Sequence, residues 1–198
     1  IPTKIMPSLR ESQTILNKGN RQFIEGLNEM DDTKNYYPDA NGTMRLSYGT
    51  IGDYKPRDAV FYDYYTTMTG LMEKDTPGNM EFEVDDKIKE LYNNKDFGRY
   101  GDGNIVMCFT TNNDISGGNS GSPVINGSGE LIGLAFDGNS EAMSGDISFD
   151  PNMQKCINAD IRYVLFIIEK YAGASRLIEE MDIIDWFWLG IEAVAKEY

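Results

Sequence analysis

Residues 117–138 read GGNSGSPVINGSGELIGLAFDG, and the fold depends on how this stretch is parsed. Its first part, Gly118-Asn119-Ser120-Gly121-Ser122-Pro123, surrounds a serine with small residues that let the backbone bend sharply. Its second part has the form of a hairpin: a short strand from Ser122 to Ile125, a turn at Asn126-Gly127-Ser128-Gly129, and a second strand from Glu130 to Phe136. A serine in such a bend suits acyl transfer, provided a base takes its proton and two N–H groups meet the developing oxyanion. Gly118 and Ser120 have the spacing for those two donors. The base is the difficulty, because the chain contains no histidine. On these letters alone, a Gly-Ser-rich hairpin loop without catalysis is an equal reading.

The flanking sequence continues the β pattern. NIVMCFTT (104–111) is a buried strand run. EFEVDDKIKELYNNKDFG (81–98) puts Val84, Ile88 and Leu91 on one face of a short helix with Gly98 as its stop. Pro38, the Asn41-Gly42 pair and alternating Met44, Leu46 and Tyr48 predict strand and hairpin. Further upstream, Leu9, Leu16, Phe23, Ile24 and Leu27 recur at helical spacing, which predicts one amphipathic helix over 8–30 that needs a partner surface. Downstream, Asp160 is placed to cap the helix IRYVLFIIEKYAG, which closes at Gly173, and SRLIEEMDIIDWFWLGIEAVAKEY predicts a second, more amphipathic helix. Acidic residues interrupt the Trp186-Phe187-Trp188 cluster, so it reads as a docking face rather than a membrane anchor. Together these elements predict a mainly β fold, a barrel or sandwich with flanking helices. They divide into a helical segment (1–35), a β domain (36–183) and a tail (184–198).

Composition narrows the chemistry. Eighteen basic against 32 acidic side chains give a net charge of −14, a field that repels phosphate backbones, so nucleic acid is excluded as a partner. No apolar run reaches 18 residues, so no membrane span is expected. The start, IPTKIMPSLRESQ, has neither the form of a signal peptide nor an initiating methionine, as expected of a processed chain or a piece of a longer one. Cys108 and Cys156 lack zinc-site spacing; whether they pair is open, with two buried thiols the commoner fate. DGNSEAMSGD (137–146) is acidic but lacks the EF-hand pattern, so neither a metal nor another cofactor is expected.

Three stretches carry a resemblance: MRLSYGTIGDYKPRDA (44–59), TTNNDISGGNSGSPVINGSGELIGLAFDGNSEAMSGDI (110–147) and INADIRYVLFIIEKYAGA (157–174). In them the chain resembles the C-terminal part of the family 46 serine peptidases, bacterial dipeptidyl peptidases, and lies nearer the dipeptidyl peptidase 7 branch. The resemblance implies the C-terminal barrel of a chymotrypsin-like double β-barrel, with the N-terminal helix as the end of an inserted helical domain. It implies Ser120 as nucleophile, an oxyanion hole at Gly118 and Ser120, and a triad histidine and aspartate upstream in the parent chain. The isolated 198 residues would then be inactive.

The resemblance also implies how substrate is read. Phe136, Asp137 and Gly138 form the substrate-binding edge, with Asp137 on the free α-amino group and Gly138 leaving room for a hydrophobic P1 side chain. The expected partners are oligopeptides with a free N-terminus and the remainder of the parent chain, with a homodimer left open, and the expected compartment is the periplasm or cell envelope. The N-x-S/T sequences at Asn41 and Asn126 then read as turns. Two features depart from this picture. Asp114 has the spacing of a carboxylate for basic P1 residues, and Ser140 stands where the family usually has tryptophan. A non-catalytic module that binds peptide termini is the competing function class.

Overall fold

The computed structural model describes residues 2–33, 42–145 and 148–184, and they fall into two units divided near residue 41. The first unit is one helix, α1 (Pro2–Met30), whose Leu9, Leu16, Phe23 and Ile24 are all exposed. It begins ahead of the expected Ser8 and ends where the periodicity ends. The expected boundary near residue 36 and the Asn41 half of the predicted turn lie outside the described residues.

The second unit is organised by antiparallel sheet. A two-stranded ribbon joins β1 (Tyr54–Arg57) to β2 (Val60–Tyr62), with the rings of Tyr54 and Tyr62 5.2 Å apart. The main sheet holds β3 (Tyr65–Thr67), β4 (Val106–Thr111), β5 (Pro123–Ile125), β6 (Leu131–Gly138) and β7 (Cys156–Asp160) in the order β3-β4-β7-β6-β5. The mainly β, antiparallel architecture expected from the sequence is therefore present. No ladder joins β3 to β5 among the described residues, so the sheet is open there. Asn158 ties its centre together: buried on β7, it donates to the Phe109 carbonyl (3.3 Å) and to Thr111 Oγ1 (3.0 Å) on β4. A buried amide is tolerated when its bonds are made in this way.

The core lies beside the sheet, where α2 (Met68–Glu73), α3 (Asp86–Asn93), α4 (Ile161–Phe166) and α5 (Ser175–Glu179) bring Met68, Ile88, Phe166 and Ile178 together with Phe97 and Ile105. Phe166 is fully buried between Phe97 and Tyr163, each ring 6.2 Å away, a burial that stabilises by about 3 kcal/mol. The Asp160 carboxylate caps α4 as expected, accepting from Arg162 N (2.9 Å), and it also holds the Arg162 guanidinium. Past α4 the coil widens into a π turn (Ile167–Tyr171) and closes at Gly173, φ 67°.

Three elements differ from expectation. The helix expected over 81–98 is only Asp86–Asn93: Asp85 caps its start, and Lys95 (φ 54°) breaks it before Gly98 is reached. The long helix expected from Ser175 stops at Glu179, and its Trp186-Phe187-Trp188 cluster and the rest of the tail beyond Ile184 lie outside the described residues. The strand expected at 44–48 joins no sheet, and Met44, Leu46 and Tyr48 are 97%, 81% and 88% exposed.

Candidate active site

Two turns sharing one corner present Ser120. Asn119 N–H donates to the Ser116 carbonyl (3.2 Å), closing the first, and the Asn119 carbonyl accepts from Ser122 N–H (2.9 Å), closing the second. The third residue of each turn is a glycine in the left-handed region, Gly118 at φ 99° and Gly121 at φ 81°, where a side chain would be strained. Asn119 Oδ1 accepts in addition from Ser116 N–H (3.0 Å), bracing the first turn from within. The second turn is bonded to β6, with Gly121 N–H on the Ala135 carbonyl (2.7 Å) and Ala135 N–H on the Ser122 carbonyl (2.9 Å).

This arrangement leaves Ser120 exposed, its hydroxyl donating to the Phe136 carbonyl over 3.4 Å. Among the described residues, neither the Gly118 nor the Ser120 N–H has a protein acceptor. Both are open to a ligand.

The substrate-edge residues owe their placement to a bulge. Ala135 pairs with Asn158 and Asp137 with Ile157, so two steps along β6 oppose one along β7 and Phe136 is the extra residue. Alternate residues of a strand share a face, so an unbroken β6 would put Asp137 on the buried face with Gly133 and Ala135. The bulge reverses the alternation, and Phe136 and Asp137 are exposed. β6 is flanked by β5 only as far as its Pro123–Leu134 pair, so among the described residues no strand lies beyond Phe136 to Gly138 on that side of an otherwise interior strand. Asp137 Oδ1 accepts from Gly138 N–H (2.8 Å), which fixes the carboxylate at that edge.

Beside β6, a 3-10 turn (Ser140–Ser144) supplies the neighbouring wall. A Cβ on Gly138 would stand 3.0 Å from the Ala142 methyl, so the turn presses on the strand at that residue. Glu141 is held by hydroxyls of Ser140 (3.1 Å) and Tyr54 (3.3 Å), and burial, followed by the Glu141 carboxylate, raises the Tyr54 pKa. Asp114 turns its carboxylate toward Gly145, 3.8 Å from where a Cβ would stand there, while its carbonyl accepts the Ser47 hydroxyl (2.5 Å).

Sequence reading missed the segment that supports the loop ahead of Ser120. Residues 44–51 run extended beside 111–119 with the opposite facing from that expected: the odd positions face the loop. Arg45 donates to Ser116 and Asn119, Ser47 to Asp114, and Gly49 approaches so closely that a Cβ would stand 2.5 Å from Asn112 Oδ1 and 2.7 Å from Asn113 N. Thr50 and Asn112 exchange bonds, and Ile51 bridges to Thr111. The signal was present as Arg45, a cation set inside an apolar alternation.

The cysteines are free thiols. Burial pushes Cys156 up to about 11, with the Asp137 carboxylate adding to it, so neither a thiolate nor a metal ligand forms readily there. Among the described residues no acidic or thiol cluster could hold a metal, and no helix is long and apolar enough to cross a membrane.

Comparison with known proteins assigns the class. The Peptidase S46 profile matches residues 4–183, and the chain belongs to this peptidase family. It is 55% identical over 184 residues to a dipeptidyl-peptidase 7 of Phocaeicola vulgatus and 47% identical over 183 residues to an Asp/Glu-specific dipeptidyl-peptidase of Porphyromonas gingivalis. These alignments take in 92% and 91% of this chain but 26% and 25% of the two relatives. The crystal structure of Porphyromonas endodontalis DPP11 in complex with the dipeptide Arg-Glu superposes with a TM-score of 0.80 at 44% identity, over 90% of this chain and 26% of that one. The chain thus spans about a quarter of the length of its relatives.

Proposed function

We propose that the chain is the nucleophile-bearing C-terminal part of a serine-type dipeptidyl peptidase of the periplasm or cell envelope, within a chymotrypsin-like double barrel. The observation that carries this reading is the pair of turns at Asn119, which holds an exposed Ser120 beside two unengaged N–H groups. Ser120 attacks the scissile carbonyl, and the Gly118 and Ser120 N–H groups receive the oxyanion, donors already in place before charge develops. The base that takes the Ser120 proton comes from the parent chain outside these residues, since no histidine lies within them. The hydroxyl bonded to Phe136 is then a resting state.

Asp137 on the open edge supplies the rest of the specificity. An α-ammonium is well held by a fixed carboxylate, and a carboxylate set one dipeptide from the nucleophile makes the enzyme count two residues. Gly138 adds no side chain and no cation, which suits a hydrophobic P1 residue.

The test uses the full-length parent and dipeptidyl arylamides with hydrophobic, acidic or basic P1, each with a free or acetylated N-terminus. Ser120→Ala is expected to lower kcat on the order of a million-fold, and Asp137→Asn to lower the preference for the free amine about 10- to 100-fold. Efficient cleavage of acetylated substrates would remove the counting role of Asp137, a basic preference would move specificity to Asp114, and peptide binding without cleavage would leave only a binding module.

A further inference from the structure

The segment at 44–51 ends at the loop that presents the nucleophile, and we propose that Arg45 is a positioning residue for that loop. This rests on the reading of Ser120 as nucleophile. Arg45 is half-buried, and its guanidinium reaches across more than seventy residues of sequence to two acceptors: Nη1 donates to Ser116 Oγ (2.9 Å) and Nη2 to Asn119 Oδ1 (3.5 Å). Ser116 and Asn119 are the first and last residues of the turn that carries Gly118. A rigid planar fork therefore spans the turn from outside while Asn119 Oδ1 spans it from within.

The segment itself is held in place, because Gly49 lies against the Asn112 side-chain oxygen and the Asn113 nitrogen and the Ser47 hydroxyl donates to the Asp114 carbonyl. Arg45 thus transfers the rigidity of the sheet edge to Asn119, the residue immediately before Ser120. An oxyanion donor acts only when it meets the developing charge at hydrogen-bond distance, so a loosened turn costs the transition state more than the bound ground state. Lysine cannot substitute, having one flexible ammonium where two acceptors on opposite arms must be joined.

The test uses the full-length parent in which hydrolysis is abolished by Ser120→Ala; if that variant stays active, the reading of Ser120 fails, a result separate from anything Arg45 does. Rates of Arg45→Met, Arg45→Lys and Ser116→Ala are expressed per site labelled by exhaustive reaction with a serine-directed phosphonate. Arg45→Met is expected to lower kcat about 10- to 100-fold with KM within about threefold. Affinity for a dipeptidyl boronic acid, whose tetrahedral adduct uses the oxyanion donors, is expected to fall by the same factor, and affinity for the product dipeptide to hold. Arg45→Lys is expected to recover little, and Ser116→Ala to lower kcat several-fold in the wild-type background but not further in Arg45→Met. An unchanged kcat per labelled site, or equal losses of boronate and dipeptide affinity, overturns the proposal. Should Arg45→Met not fold, the same comparison on Arg45→Lys and Ser116→Ala decides it.

Discussion

Lys155, just ahead of β7, is the most confined cation among the described residues of the second unit, 5% exposed, with its ammonium donating to the Pro151 carbonyl (2.9 Å). Its backbone is locked to Asn139 on both sides, N–H to Oδ1 (2.9 Å) and carbonyl to N–H (3.0 Å). Burial lowers its pKa from the ordinary 10.5, and Asp53 and Asp150 pull the other way. Between the lowered folded pKa and the ordinary one, the unfolded chain binds more protons, so this group's contribution to stability rises with pH; below both values the cost of burying the charge is fully present. The expected outcome is that the unsubstituted chain gains stability relative to Lys155→Met as pH rises through the lowered folded pKa towards 10.5, read by denaturant unfolding at each pH. A difference independent of pH would mean that the ammonium is as well solvated folded as unfolded. At this scale the bend that exposes Ser120 was legible because the small residues that make it are local to one hairpin, whereas the roles proposed for Ser120, Gly118 and Asp137 rest on the resemblance. Arg45 and Lys155 were not legible, since what matters about them is a partner far along the chain or a burial that composition does not encode.

Between elements, the contact of the 140–144 turn with β6 sets what residue 138 can be. A Cβ at 138 would sit 3.0 Å from the Ala142 methyl, tighter than most Cβ contacts, so a side chain there requires the turn to give by a few tenths of an ångström. In the full-length parent, Gly138→Arg alone is expected to lower hydrophobic-P1 hydrolysis at least about 10-fold without producing efficient acidic-P1 cleavage. Gly138→Arg with Ala142→Gly is expected to cleave after Glu and Asp. Dipeptidyl arylamide panels on the two variants check this, and full conversion by the single substitution would mean that the turn yields freely. Elements were legible where pattern and burial share one cause. The β5–β6 hairpin and the Asp160 cap follow from turn and capping chemistry over a few residues. The 44–48 segment was misread for a physical reason: alternation says that one face seeks cover but not which body provides it, and here the half-buried face belongs to Arg45.

For the whole molecule, the chain matches about a quarter of the length of its relatives, and in the proposed reading it carries one part of a divided site. The isolated 198 residues are expected to show no hydrolysis above the Ser120→Ala background while retaining cooperative unfolding, because the core of Phe166, Phe97 and Met68 is complete within the second unit. Parallel circular dichroism and arylamide assays check both halves, and measurable turnover would require a base among these residues. The sequence changes pattern near residue 36, and the contacts divide the chain at Asn41 and Gly42. The sheet's strand order was not legible, since pairing β4 with β7 across more than forty residues leaves no local trace.

The bulge at Phe136 makes β6 a segment in which length carries more information than spelling. Many substitutions would leave the strand's facing intact, but one residue gained in β7 between Ile157 and Asn158 would give Phe136 a partner, restore the simple alternation and turn the Asp137 carboxylate beneath the sheet. A single in-frame insertion would thus exchange interior for exterior without altering a functional letter. Across lineages the facing stretches Gly133 to Asp137 and Ile157 to Asp160 should vary in composition yet keep their one-residue difference in length, while the Asn126–Gly129 turn at the other end of the hairpin is free to gain or lose residues.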